Sequence, residues 1–213
     1  VCFKRAHDAE AFDGVVADLR SGRAERIAIV VPPGCTWTLP AYELALMVAA
    51  LATPRQLTLV TSETEPLGAF GAPASEWMRT ALRAAGVELL AGVSATVPEP
   101  TTVGLSAGAS LACDRVVHLP LQAGPNCPGV PCDASGFVLV DDAFRVHDGD
   151  DVFAVGDAAA GTHKQGGLAA QQADVVAEHI AWHVGAEHPP RPYRPVLRGL
   201  VRTFRLLRRR RAG

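Results

Sequence analysis

The sequence lacks both a long hydrophobic run and a disulfide framework. Its longest strongly apolar stretch, residues 44–52, is far shorter than the ~20 residues of a membrane-spanning helix. No charged start is followed by an apolar core and a small-residue cleavage site, so we expect no signal peptide. The five cysteines are an odd number without framework spacing, which favours a reducing, cytoplasmic compartment.

The sequence also lacks a large net charge, but its balance of −2 hides an asymmetry. Nine of the 20 basic residues are arginines within residues 191–211, a segment that contains no acidic residue. The first 190 residues therefore hold 11 basic and 22 acidic side chains, a charge of −11. An acidic body does not wrap nucleic acid, so only the arginine-rich tail could contact it, and we expect no nucleic-acid partner.

What is present is the composition of a globular chain, with 48% hydrophobic and 20% charged residues. Its first half alternates between continuous apolar runs, typical of buried parallel strands, and helical patterns that begin at Asp8 and Thr38. We predict strands at residues 27–31, 56–61 and 87–90. This alternation predicts an α/β fold with a Rossmann-like, doubly wound parallel sheet.

The second half of the chain has a different pattern. Residues 120–131 are rich in proline and glycine without periodicity, which indicates an ordered connection. We predict short strands at residues 136–140 and 144–146, a buried strand at 152–155, and a long helix that starts near Gly167. That helix carries a small apolar stripe, namely Ala169, Ala173, Val176, Ile180 and Val184.

The most informative motif lies between the predicted strand 152–155 and this helix. The strand ends at Gly156, where the backbone can approach a ligand closely, and Asp157 follows at the edge where open α/β sheets bind ligands. A carboxylate there can accept hydrogen bonds from sugar or ribityl hydroxyl groups. A cation, an amide and two glycines then precede the helix: Lys164, Gln165, Gly166 and Gly167. The positive end of the helix dipole, about +0.5 charge, stabilises a negative charge that lies close to it.

This segment resembles the carboxyl-terminal FAD motif of the FAD-dependent pyridine nucleotide–disulfide oxidoreductases. It is most similar to the branch of sulfide:quinone oxidoreductases and type II NADH dehydrogenases. The resemblance implies that Gly156 and Asp157 contact the ribityl–phosphate region of FAD. It also implies that residues 164–167 lie near the flavin ring, and that the second half of the chain is the carboxyl-terminal half of an FAD-binding domain.

Upstream stretches extend the resemblance over most of the chain. Residues 32–45 and 67–71 are similar to the start of the second nucleotide domain in the same branch, and residues 124–131 to the crossover back to the flavin domain. The implied division has four parts. They are the end of a flavin-domain segment with a connecting helix (1–21), an NAD(P)-binding-type Rossmann-like domain (22–118), a carboxyl-terminal FAD-binding segment (119–190) and a basic tail (191–213).

Two parts of the family pattern are missing. The relatives open with a strand and a GxGxxG turn for the FAD pyrophosphate, and nothing before Ile27 is such a unit. We therefore expect a carboxyl-terminal part of the enzyme with an incomplete FAD site, which alone binds FAD weakly or not at all. After the first strand, Pro32, Pro33 and Gly34 replace the glycines of a dinucleotide fingerprint. Glu63 could hold a ribose hydroxyl, so NAD(P) binding stays open.

The cysteines depart from the family as well. Cys35 resembles one redox cysteine of sulfide:quinone oxidoreductases and is the candidate catalytic residue, but the second, expected around residues 158–163, is absent. This absence argues against sulfide oxidation through a polysulfide bridge. Cys127 and Cys132 have the spacing of a redox pair, but adjacent prolines disfavour the helix start that such a pair needs. We interpret them as structural thiols and expect no zinc site, because no second pair completes four ligands.

The resemblance implies an FAD-dependent oxidoreductase that passes electrons through the flavin from NAD(P)H or a sulfur donor to a quinone or another acceptor. The alternative is a non-catalytic nucleotide-binding or interaction remnant of the same fold. The tail from Val196 alternates apolar and cationic residues. It is either a helix on the inner face of an anionic membrane or a basic extension without structure.

Overall fold

A computed structural model describes residues 1–2, 8–106, 108–147, 149, 151–161 and 163–199. The described chain divides into two compact units: residues 1–121 together with Gly199, and residues 122–198. Both clusters of buried hydrophobic side chains belong to the first unit. None of the described helices combines the length and apolarity that a membrane crossing requires.

The first unit is built around a parallel sheet. Its helices are α1 (Asp8–Arg20), α2 (Leu39–Leu51) and α3 (Ala72–Ala84). Four strands form the sheet in the order β3-β2-β1-β7: β1 (Arg26–Val31), β2 (Gln56–Thr61), β3 (Glu88–Leu90) and β7 (Arg115–His118). A separate antiparallel sheet contains β4 (Ala95–Glu99), β5 (Thr102–Leu105) and β6 (Ser110–Ala112). The predicted α/β fold with a Rossmann-type parallel sheet is confirmed.

The central strand β1 shows why the sheet is covered on both faces. Because successive side chains point to opposite faces, Ile27, Ile29 and Val31 pack into the core shared with α1, α2 and α3. Ala28 and Val30 pack into a second core that contains residues of the antiparallel sheet. Strand β1 is therefore continuously apolar, as its sequence predicted, although a sheet and not a helical layer covers its second face.

The second unit contains one long helix, α4 (Gly166–His183). The strands that we predicted at 136–140, 144–146 and 152–155 are wrong in extent, because the structure forms only isolated pairs such as Val140 with Val146 and Arg145 with Phe153. Among the described residues of this unit, no neighbouring strand continues these pairs into a ladder. The predicted buried run at 152–155 is also partly open, since Val152 is 50% exposed.

The apolar stripe predicted on α4 is not the face that the helix buries. Leu168 and Val175, one heptad apart, are its buried residues. Ile180 and Val184 are 47% and 79% exposed. The alanine-rich sequence is apolar on several faces, so its periodicity did not identify the buried one.

The connection before these elements is irregular, as predicted, and is fixed by backbone contacts. The Gly124 amide donates to the Ser135 carbonyl at 2.8 Å, and the Asn126 amide donates to the Gly136 carbonyl at 2.9 Å. A Cβ at Gly124 would lie 2.1 Å from the backbone of Gly136. Glycine at position 124 is therefore required by a backbone crossing.

The membrane-helix prediction for the tail falls mostly on residues 200–213, which lie outside the described residues. Residues 196–199 are described and are not helical.

Candidate functional site

The Gly156–Asp157 turn lies against the first turns of α4. Gly156 adopts a positive φ of 65° and opens a short 3-10 helix, Gly156–Ala158. Its amide donates to Oε1 of Gln172 at 2.6 Å, and a Cβ on Gly156 would lie 3.0 Å from the Cβ of Ala169. The close approach that this glycine permits is thus an approach to α4. The turn is held against α4, and the next residue, Asp157, remains exposed.

Lys164 forms part of the interior behind this turn. Only 5% of the residue is exposed, and its Nζ lies 4.1 Å from the ring centroid of Phe137. Nζ also donates a hydrogen bond to the Ala159 carbonyl. Burial lowers the pKa of Lys164, and the negative charges of Asp157 and Asp133 partly oppose that shift. The predicted cation is therefore present, within electrostatic range of Asp157, but it supports the turn from inside.

Gln165 caps α4 with its side chain. Its Oε1 accepts a hydrogen bond from the Leu168 amide at 2.9 Å, which satisfies one of the amides that a helix start leaves without an intrahelical acceptor. A Cβ on Gly167 would lie 2.9 Å from that same Oε1. Gly167 therefore makes room for the cap, while both Gly166 and Gly167 remain exposed at the positive end of the helix dipole.

Three residues that the sequence analysis did not suggest for this role hold the predicted residues Gly156 and Lys164 in place. Gln172 holds Gly156, Ala169 packs against it, and Phe137 lies under the Lys164 ammonium. The polar side chain of Gln172 within an alanine-rich helix was an available signal for a structural role. The contact of Phe137 depends on a turn geometry that periodicity does not encode.

Glu63, the candidate ribose ligand, follows β2 in the first unit and is already hydrogen-bonded. The hydroxyl of Tyr42, a fully buried residue of α2, donates to Glu63 Oε2 at 2.6 Å. Burial, together with the negative charge of Glu63, raises the pKa of Tyr42 well above its ordinary value. The Thr61 hydroxyl donates to the same Oε2 at 3.5 Å, so Oε2 is engaged by two donors and Oε1 is left for the two hydroxyl groups of a ribose.

Cys35 does not have the surroundings of a reactive thiolate. The residue is partly buried against the main core, and its thiol donates to the Trp37 carbonyl at 3.5 Å. Burial raises the pKa of Cys35, so the unreactive protonated form is favoured. All five cysteines are free thiols, including Cys127 and Cys132.

The residues present fit FAD, but they do not fit NAD(P). In the second unit, an exposed carboxylate and two exposed glycines at a helix start have the chemistry that a ribityl chain and an electron-rich flavin ring require. In the first unit, Pro32 and Pro33 lack amide donors, and the Cys35 amide is bonded to the Pro32 carbonyl. With Glu63 bonded to Tyr42 as well, this loop does not fit a nicotinamide dinucleotide.

Comparison with solved structures shows the same fold. The chain superposes on the sulfide:quinone oxidoreductase of Aquifex aeolicus with a TM-score of 0.69 and 22% identity, over 82% of this chain and 46% of that one. It superposes on the ferredoxin reductase of the CYP199A2 system of Rhodopseudomonas palustris with a TM-score of 0.59 and 21% identity, over 90% and 47%. The chain therefore spans about half the length of the proteins it resembles.

Sequence comparison gives the family. No curated protein matches the chain. The family model described as pyridine nucleotide-disulphide oxidoreductase matches residues 39–174, which is more than half of the chain and includes both Glu63 and the turn at Asp157. The expected family is thereby confirmed, and the chain belongs to the pyridine nucleotide-disulphide oxidoreductases.

Proposed function

We propose that this chain supplies the ring and ribityl contacts of an FAD-dependent oxidoreductase. The observation that carries the proposal is the arrangement at the start of α4. Gly166 and Gly167 are exposed at the helix start, and the Gly156 turn, held by Gln172, presents the Asp157 carboxylate. When bound, the flavin supplies the two-electron redox chemistry.

The residues of the chain would position and tune this cofactor. Asp157 would accept hydrogen bonds from the ribityl hydroxyl groups. The amino end of α4 would stabilise negative charge on the ring, because the helix dipole adds about half a positive charge there. Lys164, buried over Phe137 and bonded to the Ala159 carbonyl, would hold the turn in place.

For the complete enzyme we propose electron transfer to a quinone or another small acceptor. The fold likeness to a sulfide:quinone oxidoreductase supports this choice. Glu63, bonded to Tyr42, favours an electron donor other than NAD(P)H at the first unit. The raised pKa of Cys35 argues against a sulfide route through that thiol. A second candidate, a remnant without turnover, is favoured by these same two observations.

Flavin titration separates the two candidates. We expect FAD and FMN to bind the chain with similar affinity, because the proposed contacts involve only the parts that the two molecules share. Asp157→Asn should weaken both about tenfold, the size expected for losing hydrogen bonds to a charged group. Asp13→Asn, the same change on an exposed helix residue of the first unit, should have no effect. A chain that binds neither flavin at millimolar concentration, both alone and together with a separately supplied amino-terminal half, would support the remnant.

A further inference from the structure

The segment that follows α4 returns along the helix and is attached to it at several points. We define residues 191–198 as the strap. At one end, the Arg191 amide and Nε each donate to the Glu178 carboxylate at 2.9 Å. At the other end, Gln165 Nε2 donates to the Arg198 carbonyl at 3.4 Å. Because Glu178 is near the end of α4 and Gln165 at its start, the strap runs antiparallel to the helix.

Proline explains why the strap is extended. Pro189, Pro190, Pro192 and Pro195 remove amide donors and restrict φ, so the segment cannot continue as a helix. Eight extended residues reach about 26 Å, and the helix from residue 165 to 178 rises about 20 Å. The strap is thus long enough to follow α4 along its whole described contact.

Gln171 fixes the middle of the strap. Its Oε1 accepts from the Val196 amide at 2.8 Å, and its Nε2 donates to the Val196 carbonyl at 3.0 Å. The same Nε2 donates to the Gly167 carbonyl at 2.8 Å. The Gln171 side chain therefore bonds both the amide and the carbonyl of Val196, as a neighbouring β-strand would. It also contacts the first turn of α4.

Gln165 carries the effect to the helix start. Its amide is oriented by two partners, since Oε1 accepts from Leu168 and Nε2 donates to Arg198. If the Arg198 carbonyl leaves, one of the two bonds that hold this orientation is lost. The Gln165 side chain can then adopt several rotamers, of which the capping rotamer is only one.

We propose that the strap is a positioning element for the first turn of α4, and that Gln171 is the positioning residue that attaches it. The proposal rests on the proposed function where it concerns flavin, because the turn it orders is the candidate flavin turn. The ordering of the turn itself is independent of any ligand.

The experiment compares Gln171→Met with Ala173→Met in the full chain. Methionine keeps the length and helix propensity of glutamine but makes none of its three hydrogen bonds. Ala173 is exposed on α4, so the control introduces the same side chain where no side-chain hydrogen bond is lost. Amide hydrogen exchange is measured by NMR at Val196 and at Leu168, and flavin affinity is measured by titration.

We expect Gln171→Met to raise exchange about tenfold at Val196 and also at Leu168, with Ala173→Met unchanged. Faster exchange at Val196 alone would overturn the proposal, since the strap would leave without disturbing the cap. Unchanged exchange at both amides would overturn it too. Glu178→Gln weakens the other attachment of the strap without touching Gln171. It should also raise exchange at Val196 and Leu168, and unchanged exchange at Leu168 in this variant would overturn the proposal even if Gln171→Met unfolds the unit. If neither the parent chain nor any variant binds flavin, the proposed function is wrong. The proposal for the strap is then still tested by amide exchange.

Discussion

The buried hydroxyl of Tyr42 and the half-buried carboxylate of Glu63 are joined by a 2.6 Å hydrogen bond. The sequence predicted the position of Glu63 correctly, just past the end of a strand, and it did not indicate a partner. Tyr42 lies 21 positions earlier, on α2, and its contact depends on how that helix packs on the sheet. Residue types therefore identified the candidates, and tertiary packing decided which groups were free.

The protonation of Tyr42 gives a direct prediction. Because its pKa is raised in the folded chain, the stability that the neutral phenol contributes is present below the ordinary tyrosine pKa of 10.0 and is lost as pH rises above it. The chain has two tyrosines, Tyr42 and Tyr193. A spectrophotometric titration should show a tyrosine step well above this ordinary value. Tyr42→Phe should remove that step, and Tyr193→Phe should keep it. A titration without a step above the ordinary value would contradict the buried bond.

The same bond contributes to stability. Tyr42→Phe should lower the free energy of unfolding by about 1.5 kcal/mol, because it leaves a partly buried carboxylate with only the longer hydrogen bond from the Thr61 hydroxyl. Urea unfolding at neutral pH measures the change, with Tyr193→Phe as the comparison. An unfolding free energy equal to that of the parent chain would show that the Glu63 carboxylate is solvated without Tyr42.

At the scale of elements, a continuous apolar run predicted β1, since a parallel strand buried on both faces is mostly apolar. The same rule failed at residues 152–155. That run is apolar, but the described second unit pairs it only through Phe153. Local sequence reports how a strand would be buried, whereas a ladder also requires neighbours elsewhere in the chain. The buried face of α4 was missed for a related reason, because alanine fits several faces equally well.

Glycine substitutions test the connection between elements. Gly124→Ala should destabilise the second unit by about 3 kcal/mol, because the new Cβ would overlap the Gly136 backbone. Gly14→Ala, in the exposed middle of α1 with no atom near the new Cβ, should instead stabilise the chain by ~0.5–1 kcal/mol. Thermal unfolding measures both changes, and a melting temperature of Gly124→Ala equal to or above that of the parent chain would refute the crossing.

The ion pair at the end of the strap predicts an acid transition. The hydrogen bond from the Arg191 side chain lowers the pKa of Glu178 to about 2. Its contribution is therefore present above the ordinary carboxyl pKa of 4.5 and is lost as pH falls toward 2. Exchange of the Arg191 side-chain protons should rise over that interval in the parent chain. Glu178→Gln should show no such interval, and an identical profile in both would contradict the pairing.

At the scale of the whole molecule, the two units differ in how they are stabilised. Both clusters of buried hydrophobic side chains lie in residues 1–121. The second unit combines turns, caps and the strap with a smaller set of buried apolar residues that includes Phe137, Phe144 and Val146. We therefore expect amides of β1 and β2 to exchange only through global unfolding and those of α4 to exchange through local opening. Native-state hydrogen exchange in increasing denaturant measures this difference. Equal opening energies for both units would contradict it.

The central claim is that the turn at Asp157 and the start of α4 together bind a flavin. The most direct measurement is an NMR titration of the full chain with FMN, which has the ring, the ribityl chain and a phosphate but no adenosine. We predict saturable shifts of the amides of Asp157, Gly166 and Gly167, weaker in Asp157→Asn. Shifts centred instead on the first unit, or no shifts at millimolar FMN, would contradict the account.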